Sequence, residues 1–199
     1  MRHPFLVAAA LPAALVLLPA ATQAHPHVFV DALFSLAEPD SPTLAIRVTW
    51  RFDEVYTEFV RSDFDEDGDG VLSDTEIGQI ADIFFLDLPD YGWFTRLAVN
   101  DDWFEEFSVT DAEVMMHDGR LIASFVVRTE TPWSDVETLE MIPFDDEYFI
   151  AYAVPGVAPD VFGGDLACDR QAYVLESWYA GPVDVDGLRC LAPSAVNAG

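Results

Sequence analysis

Oxygen-bearing side chains recur at alternate positions between residues 65 and 76. Three aspartates fall at positions 1, 3 and 5 of this stretch, Gly70 falls at position 6, and a glutamate closes it at position 12. Carboxylates are the hard ligands that calcium prefers; a backbone carbonyl at position 7 and a side chain at position 9 complete such a set. The spacing therefore predicts a calcium-binding loop. Its predicted ligands are Asp65, Asp67, Asp69, Val71, Ser73 and Glu76.

A second group of metal-binding residue types lies near the start of the chain. If residues 1–24 are removed as a signal peptide, the chain begins with His25, whose α-amine and imidazole can bind one metal ion together. His27 adds a second ring, and Asp31 shares its strand face as a ligand or as an acceptor for its N–H. Imidazole suits nickel, cobalt, copper or zinc. The alternative is a strand end with two solvated histidines.

His117 is the third histidine that remains after such cleavage. It adjoins Met115 and Met116, and histidine together with methionine can bind soft copper. With the N-terminal histidine it would complete the ligand set of a copper enzyme with a histidine brace. The simpler interpretation is an exposed histidine beside a turn, next to methionines that fill a core.

The start of the chain and its charge predict where it works. A short polar segment, an apolar run and small residues before position 25 are typical of a secretory signal, and the run is short for a membrane span. The 36 acidic and 9 basic residues give a net charge of −27, and every basic residue is arginine. This charge disfavours nucleic acid and anionic membranes as partners and favours cations and cationic partners; the alternative is that it serves only solubility in a salty extracytoplasmic space. We expect a periplasmic protein that is not embedded in the membrane.

The chain has two cysteines, Cys168 and Cys190. In an exported protein an even number of cysteines indicates a disulfide, and two allow one pairing. No histidine lies near them in the sequence, which disfavours a metal site. The cysteines therefore predict a disulfide that closes the C-terminal stretch.

Two helix-like segments flank the acidic loop. Apolar side chains recur at helical spacing on both sides of it. Asp53 has the residue type of an N-cap for the first helix, and the second helix is predicted from about Asp74 to Leu86. Helix, calcium loop and helix form an EF-hand, here an insertion over about residues 53–88. The alternative interpretation is an acidic surface turn in a very acidic chain.

The remaining mature chain, residues 25–199, is predicted to form one mainly β (α+β) domain. Apolar and polar residues alternate over 28–36 and 43–52, which predicts a hairpin. Further strands are predicted over 94–99, 105–110, 113–117 and 120–128, with Asp118-Gly119 as a two-residue turn. A last pair is predicted over 136–142 and 147–154. Such short strands with regular turns favour an antiparallel β-sandwich carrying the inserted EF-hand, followed by a loop-rich tail over about 155–199.

Three segments together resemble a known family. They begin at His25-Pro26-His27-Val28, at Val48-Thr49-Trp50-Arg51 and at Pro143-Phe144-Asp145-Asp146, and the Asp-rich loop lies between the second and the third. The chain resembles the exported bacterial family DUF1007, described as the periplasmic component of an uncharacterised ABC-type transport system. That resemblance implies an accessory of a membrane transporter of the nickel/cobalt type, and a metal-handling role for His25 and His27.

The sequence thus favours a non-enzymatic periplasmic protein that binds calcium and assists transition-metal transport. It has no Gly-rich phosphate loop, nucleophile elbow or Cys/His zinc pattern. A second hypothesis is a protein-interaction module that calcium only rigidifies and whose histidines are incidental. The copper enzyme is the third. Calcium uptake, transition-metal uptake and copper-dependent turnover separate the three.

Overall fold

Two five-stranded sheets form a β-sandwich in the computed structural model, which describes residues 26–38, 40–155 and 166–192. The first sheet has the order β5-β6-β2-β1-β8, and the second has the order β4-β3-β7-β10-β9. This confirms the predicted mainly β fold. The strands are β1 Val28–Leu36, β2 Thr43–Phe52, β3 Thr95–Val99, β4 Asp102–Trp103, β5 Ser108–His117, β6 Arg120–Pro132, β7 Thr138–Pro143, β8 Ile150–Ala153, β9 Ala167–Ser177 and β10 Gly181–Leu191.

The first two strands form the predicted antiparallel hairpin, with Val30 opposite Phe52 and Leu36 opposite Ile46. β2 lies at the centre of its sheet and also pairs with β6. Because its alternate side chains face the core, Trp50 and Phe52 are each 1% exposed. The predicted signal peptide and His25 lie outside the described residues.

The segment after residue 105 differs from the prediction. The two short strands expected over 105–110 and 113–117 are one strand, β5, whose pairing with β6 shifts between Thr110 and Glu113. Asp111 takes a positive φ of 53° at this bulge. The bulge interrupts the alternation of apolar and polar residues, and for this reason the sequence predicted two strands. The predicted turn at Asp118 and Gly119 is confirmed, with φ of 48° and 75°.

The sequence predicted that β8 pairs with β7, and this prediction is wrong. β8 runs parallel to β1 in the other sheet, with Val28 opposite Ile150. The buried carboxylate of Asp145 accepts hydrogen bonds from the backbone N–H groups of Glu147, Phe149 and Ile150. These bonds fix a tight turn that sends the chain across the sandwich. Alternation predicts a strand but not its partner, so the pairing could not be inferred from the pattern.

The prediction of a loop-rich tail is wrong for residues 167–191. β9 and β10 pair over eleven residues, and the disulfide Cys168–Cys190 joins them, which confirms the predicted pairing of cysteines. β9 is mostly exposed on both faces and therefore lacks the apolar alternation that identifies a strand. At Gly187 of β10 an added Cβ would lie 2.7 Å from Cε2 of Tyr173, so this hairpin packs too closely for a side chain there.

Two helices follow β2: α1 Glu54–Phe64 and α2 Asp74–Phe84. Asp53 caps α1 as predicted, because its Oδ1 accepts the N–H of Tyr56 at 2.9 Å. The hydroxyl of Thr57 donates to the carbonyl of Asp53 and accepts the N–H of Leu121, which ties α1 to β6. α2 ends two residues before the predicted end at Leu86.

The helix pair packs on the sandwich through its apolar stripes. Val60, Leu72 and Ile80 are buried in the same core cluster as both sheets. The ring of Phe84 lies 6.2 Å from that of Trp50, edge to face. In the parts of the chain that the structure describes, no helix has the length and apolar content needed to cross a bilayer.

Candidate metal site

The acidic loop between α1 and α2 is turned around one carboxylate. Oδ1 of Asp65 accepts the N–H of Gly68 at 2.9 Å and that of Asp69 at 3.1 Å, and Oδ2 accepts the N–H of Gly70 at 2.8 Å. Three consecutive backbone donors thus wrap around the side chain at the end of α1. This arrangement places the first predicted ligand at the centre of the turn.

Two glycines allow the backbone conformation of this turn. Gly68 has φ of 72° and Gly70 has φ of 82°, the left-handed region that side chains with a Cβ resist. The carboxylate of Asp69 accepts the N–H of Val71 at 2.7 Å, and that of Asp67 accepts the N–H of Asp69 at 3.2 Å. The loop is therefore shaped by its own acidic side chains and by glycine.

Glu76 closes the loop from the first turn of α2. It is 6% exposed, although it carries a charge. Its Oε2 accepts the N–H and the hydroxyl of Ser73 at 2.7 and 2.8 Å, and its Oε1 accepts the N–H of Glu66 at 2.8 Å. These hydrogen bonds, those from Ser73 first, hold the pKa of the Glu76 carboxyl below its usual value, although burial opposes them.

Ser73 has a role that the sequence analysis missed. It is the N-cap of α2 and forms a reciprocal capping box with Glu76, whose N–H donates to the serine hydroxyl at 3.4 Å. Serine followed three residues later by glutamate is the signal that predicts such a box. The same two side chains thus start α2 and close the acidic loop.

Asp65, Asp67 and Glu76 each offer an oxygen, and these oxygens lie within 4.8 Å of one another. Calcium binds oxygens at about 2.4 Å, so ligands on opposite sides of the ion are about 4.8 Å apart. The three carboxylates therefore fit one calcium ion. Asp69, Val71 and Ser73 are outside this triad, although they belong to the same loop. Within residues 26–38, 40–155 and 166–192, no other group of three acidic, histidine or cysteine side chains converges in this way.

The predicted transition-metal residues are not gathered in the same way. His27 is exposed, its N–H donates to the carbonyl of Phe149, and its ring lies 5.0 Å from the Phe149 ring. Asp31 lies four residues along β1, a separation of about 13 Å in a strand. Its Oδ2 accepts two hydrogen bonds from Arg51. The structure thus engages Asp31 with Arg51 rather than with His27, and His25 lies outside the described residues.

His117 lies far from the N-terminal strand. It is at the end of β5, which is separated from β1 by β6 and β2, or three strand spacings of about 14 Å in total. Its side chain is 71% exposed, and its Nε2 is 3.4 Å from a carboxylate oxygen of Asp118. The structure thus engages His117 with Asp118 and does not gather it with His27, and His25 lies outside the described residues.

The fold and the loop define a class: a β-sandwich with an inserted helix–loop–helix that presents convergent carboxylates. The chain belongs to the family described as "Protein of unknown function (DUF1007)", whose sequence model matches residues 10–173. This confirms the resemblance drawn from the residues. No curated protein matches the chain. One solved structure that resembles it is AChBP from Bulinus truncatus, with 13% identity, 86% of this chain and 89% of that chain covered, and a TM-score of 0.36.

Proposed function

We propose that this protein is an exported, non-enzymatic calcium-binding protein whose acidic loop holds one calcium ion. The convergence of Asp65, Asp67 and Glu76 within 4.8 Å is the observation that supports it best. The carboxylate of Asp69, the carbonyl of Val71 and the side chain of Ser73, directly or through water, complete the ligand set. All of these are oxygens, which calcium prefers over nitrogen or sulfur.

The calcium ion would act as a structural brace. Leu72 lies inside the loop and is 7% exposed, so the loop is attached to the sandwich core at its middle. Without a cation the clustered carboxylates repel one another, and calcium removes that repulsion. Single extracellular sites bind calcium with dissociation constants of about 10⁻⁴–10⁻³ M, which suits a brace at ambient calcium better than a signalling role.

Calorimetric titration of calcium tests the site with two matched variants. Glu76→Gln removes a ligand charge but keeps an oxygen acceptor for Ser73, so the start of α2 is retained. Glu66→Gln makes the same change at an exposed loop position that the ligand pattern does not use. We expect Glu76→Gln to weaken calcium binding by more than the roughly 10–100-fold typical of an outer-shell partner. Glu66→Gln should bind nearly as the wild type does.

Equal calcium uptake by the wild type and Glu76→Gln would contradict the site. Equal weakening by both variants would show that the loop attracts cations only through its net charge. Circular dichroism of each variant is the control for folding, because α1 and α2 supply most of the helix signal.

We infer a second role at the N-terminus, in delivery of nickel or cobalt, or of copper or zinc, to a membrane metal transporter of the periplasm. His27 is exposed at the start of β1, which suits handing an ion to a partner. The transport role comes from the family resemblance of the sequence, which implies an accessory of a membrane transporter. The disulfide is of the kind that persists in an oxidising compartment.

Titration of each of the four metal ions into protein whose first residue is verified as His25 tests this role. The control lacks residues 25–27 and keeps the calcium loop. Binding that the control loses supports delivery through the N-terminal histidines. Equal binding by both proteins would contradict it and leave calcium as the metal of this protein.

A protein-interaction module is the second candidate function. Four large apolar side chains on the helix pair remain exposed, between 60% and 81%. They form two pairs, four residues apart on α1 and three residues apart at the end of α2, and exposed apolar side chains of this kind offer contact area to a partner. They are Val55, Phe59, Ile83 and Leu86. Pull-down from periplasmic extract that calcium strengthens and Phe59→Ser abolishes would favour this function.

A further inference from the structure

A cavity of about 630 Å³ opens at one end of the sandwich, away from the acidic loop in sequence. Four segments of the chain form it: the turn that leads into β3 with the start of that strand, the end of β4 with the residues after it, the loop between β7 and β8, and the tip of the β9–β10 hairpin. Its volume falls in the range of about 300–1,000 Å³ that small-molecule sites occupy. Aromatic rings dominate its lining, and six of them are Tyr91, Phe94, Trp103, Phe104, Phe107 and Trp178.

The rings are held in place by backbone contacts between the segments. The N–H of Phe144 donates to the carbonyl of Phe94 at 2.9 Å, which joins the β7 end to the turn before β3. The hydroxyl of Ser177 and the N–H of Trp178 both donate to the carbonyl of Asp146, at 2.9 and 3.1 Å. The hairpin tip is therefore fixed against the β7–β8 loop, and Trp178 becomes a wall of the cavity.

The turn before β3 carries backbone strain beside the cavity. Gly92, Trp93 and Phe94 have consecutive positive φ values of 57°, 55° and 42°. Two of the three are aromatic residues, which adopt this region at a cost of about 1–3 kcal/mol each. The strain places the ring of Phe94 against that of Tyr91, with centroids 5.3 Å apart and the rings stacked.

The cavity is negatively charged. Five carboxylates line it against one arginine. Arg96 donates to Asp146 at 2.7 Å and lies over the ring of Phe144, 4.7 Å from its centroid, so its charge is already neutralised. Buried Asp145 is satisfied by three backbone donors.

The other three carboxylates carry the cavity's excess charge. In the described ranges, 26–38, 40–155 and 166–192, no arginine forms an ion pair with Asp90, Glu105 or Glu147. Each of them is exposed at the cavity rim. A cation entering the cavity would therefore meet unpaired negative charge.

We propose that this cavity binds a small organic cation that carries a quaternary or tertiary ammonium group. Ring faces attract such a cation through their quadrupoles, and carboxylates at the rim add charge attraction. Tyr91, Trp103 and Trp178 are 53%, 52% and 71% exposed and line the cavity, so a ligand that enters it can contact their rings.

The lining separates this ligand from other classes. A bare metal ion prefers converging oxygen or nitrogen ligands, which the acidic loop supplies and this ring-lined cavity does not. An anion is repelled by the excess of carboxylates. A neutral apolar molecule would contact the rings but would not be attracted by the carboxylates. The organic ammonium uses both features at once.

Calorimetric titration with choline tests the site on the full mature protein. The neutral comparison ligand is 3,3-dimethylbutan-1-ol, which has the same shape without the charge. We expect choline to bind and the alcohol to bind at least about tenfold more weakly. Trp178→Ala should weaken choline about tenfold, and Glu147→Gln about threefold.

Two exposed residues outside the cavity supply matched controls. Phe59→Ala removes an exposed aromatic side chain from α1, and Glu130→Gln removes an exposed carboxylate from β6. Neither should change choline binding. All titrations are repeated with EDTA, because this site shares no residue with the acidic loop and its affinity should not depend on calcium.

Three results would overturn the proposal. The first is no binding of choline up to about 10 mM, a concentration at which even a weak site is occupied. The second is equal binding of choline and the neutral alcohol. The third is binding that Trp178→Ala leaves unchanged. If a lysine-rich peptide binds while choline does not, the surface recognises a protein partner and the small-molecule proposal is wrong.

Discussion

The acidic loop and the aromatic cavity are both negatively charged, yet they are built differently. The loop consists of twelve consecutive residues, and its own side chains hydrogen-bond its backbone. The cavity takes its walls from four segments that are spread between residues 90 and 178. The loop presents oxygens alone to a cation, whereas the cavity presents ring faces with carboxylates at the rim.

The difference in construction has a physical consequence. The loop depends on local turns, so a change elsewhere in the sandwich leaves its ligands together. The cavity depends on the position of the β9–β10 hairpin relative to the β7–β8 loop. We therefore expect that removing the support of one region weakens ligand binding there and leaves ligand binding at the other region unchanged. Three predictions test that independence, each on a different support.

Removal of the disulfide should have the largest effect. Cys168 and Cys190 are separated by 22 residues, and in the chain-entropy model such a link contributes about 3 kcal/mol to the free energy of unfolding. The double variant Cys168→Ala, Cys190→Ala should lose about that amount in urea unfolding. Choline binding should weaken, because Trp178 is carried by the same hairpin, while the calcium affinity of the folded protein stays unchanged. Loss of calcium affinity with choline binding retained would contradict the independence of the two regions.

Gly70→Ala should have an intermediate effect that is confined to the loop. The φ of +82° at Gly70 strains any residue with a Cβ, at a cost of about 1 kcal/mol or more. We expect weaker calcium binding and unchanged choline binding, both measured by calorimetry. Gly78→Ala is the matched control, since Gly78 lies inside α2 with open space around it. Alanine there should stabilise the helix by about 0.5–1 kcal/mol. If Gly70→Ala weakens calcium binding no more than Gly78→Ala does, the positive φ at residue 70 is not needed for the calcium site.

Acidification should have the smallest effect and should also be local. The folded-state pKa of Glu76 lies below the ordinary value of 4.5. Its carboxylate therefore stabilises the folded state above about pH 4.5, and this stabilisation is lost as the pH falls through the lower folded-state pKa. In urea unfolding without calcium, the stability difference between the wild type and Glu76→Gln should shrink between pH 6 and pH 3. A difference that grows on acidification would show that the Ser73 and Glu66 donors do not favour the charged form.

The sequence predicts local features of this protein well. The turn at Gly70, the cap at Asp53 and the turn at Asp118 and Gly119 each depend on a few adjacent residues whose types have one common structural use. The first hairpin follows from alternation, because β1 and β2 each bury one face. Features that neighbouring residues form by themselves can be predicted from the sequence without knowledge of the fold.

Features that depend on distant segments could not be predicted. The turn that Asp145 makes sends β8 to the other sheet, and nothing in the alternation of 147–154 indicates the partner strand. β9 is exposed on both faces and so lacks a strand pattern. The cavity needs both of these elements in place. The sequence therefore gives no sign that Asp146 and Trp178 are in contact. In the fold the N–H of Trp178 donates to the carbonyl of Asp146.

Hydrogen exchange measured by mass spectrometry, with calcium and with EDTA, tests the central claim that the acidic loop is a calcium site. In the wild type we expect calcium to slow exchange in peptides that cover residues 65–76 and the start of α2. Peptides that cover residues 90–107 at the cavity should not change. Glu76→Gln should lose the protection, and Glu66→Gln should keep it. Exchange over residues 65–76 that is the same with calcium and with EDTA would contradict the account.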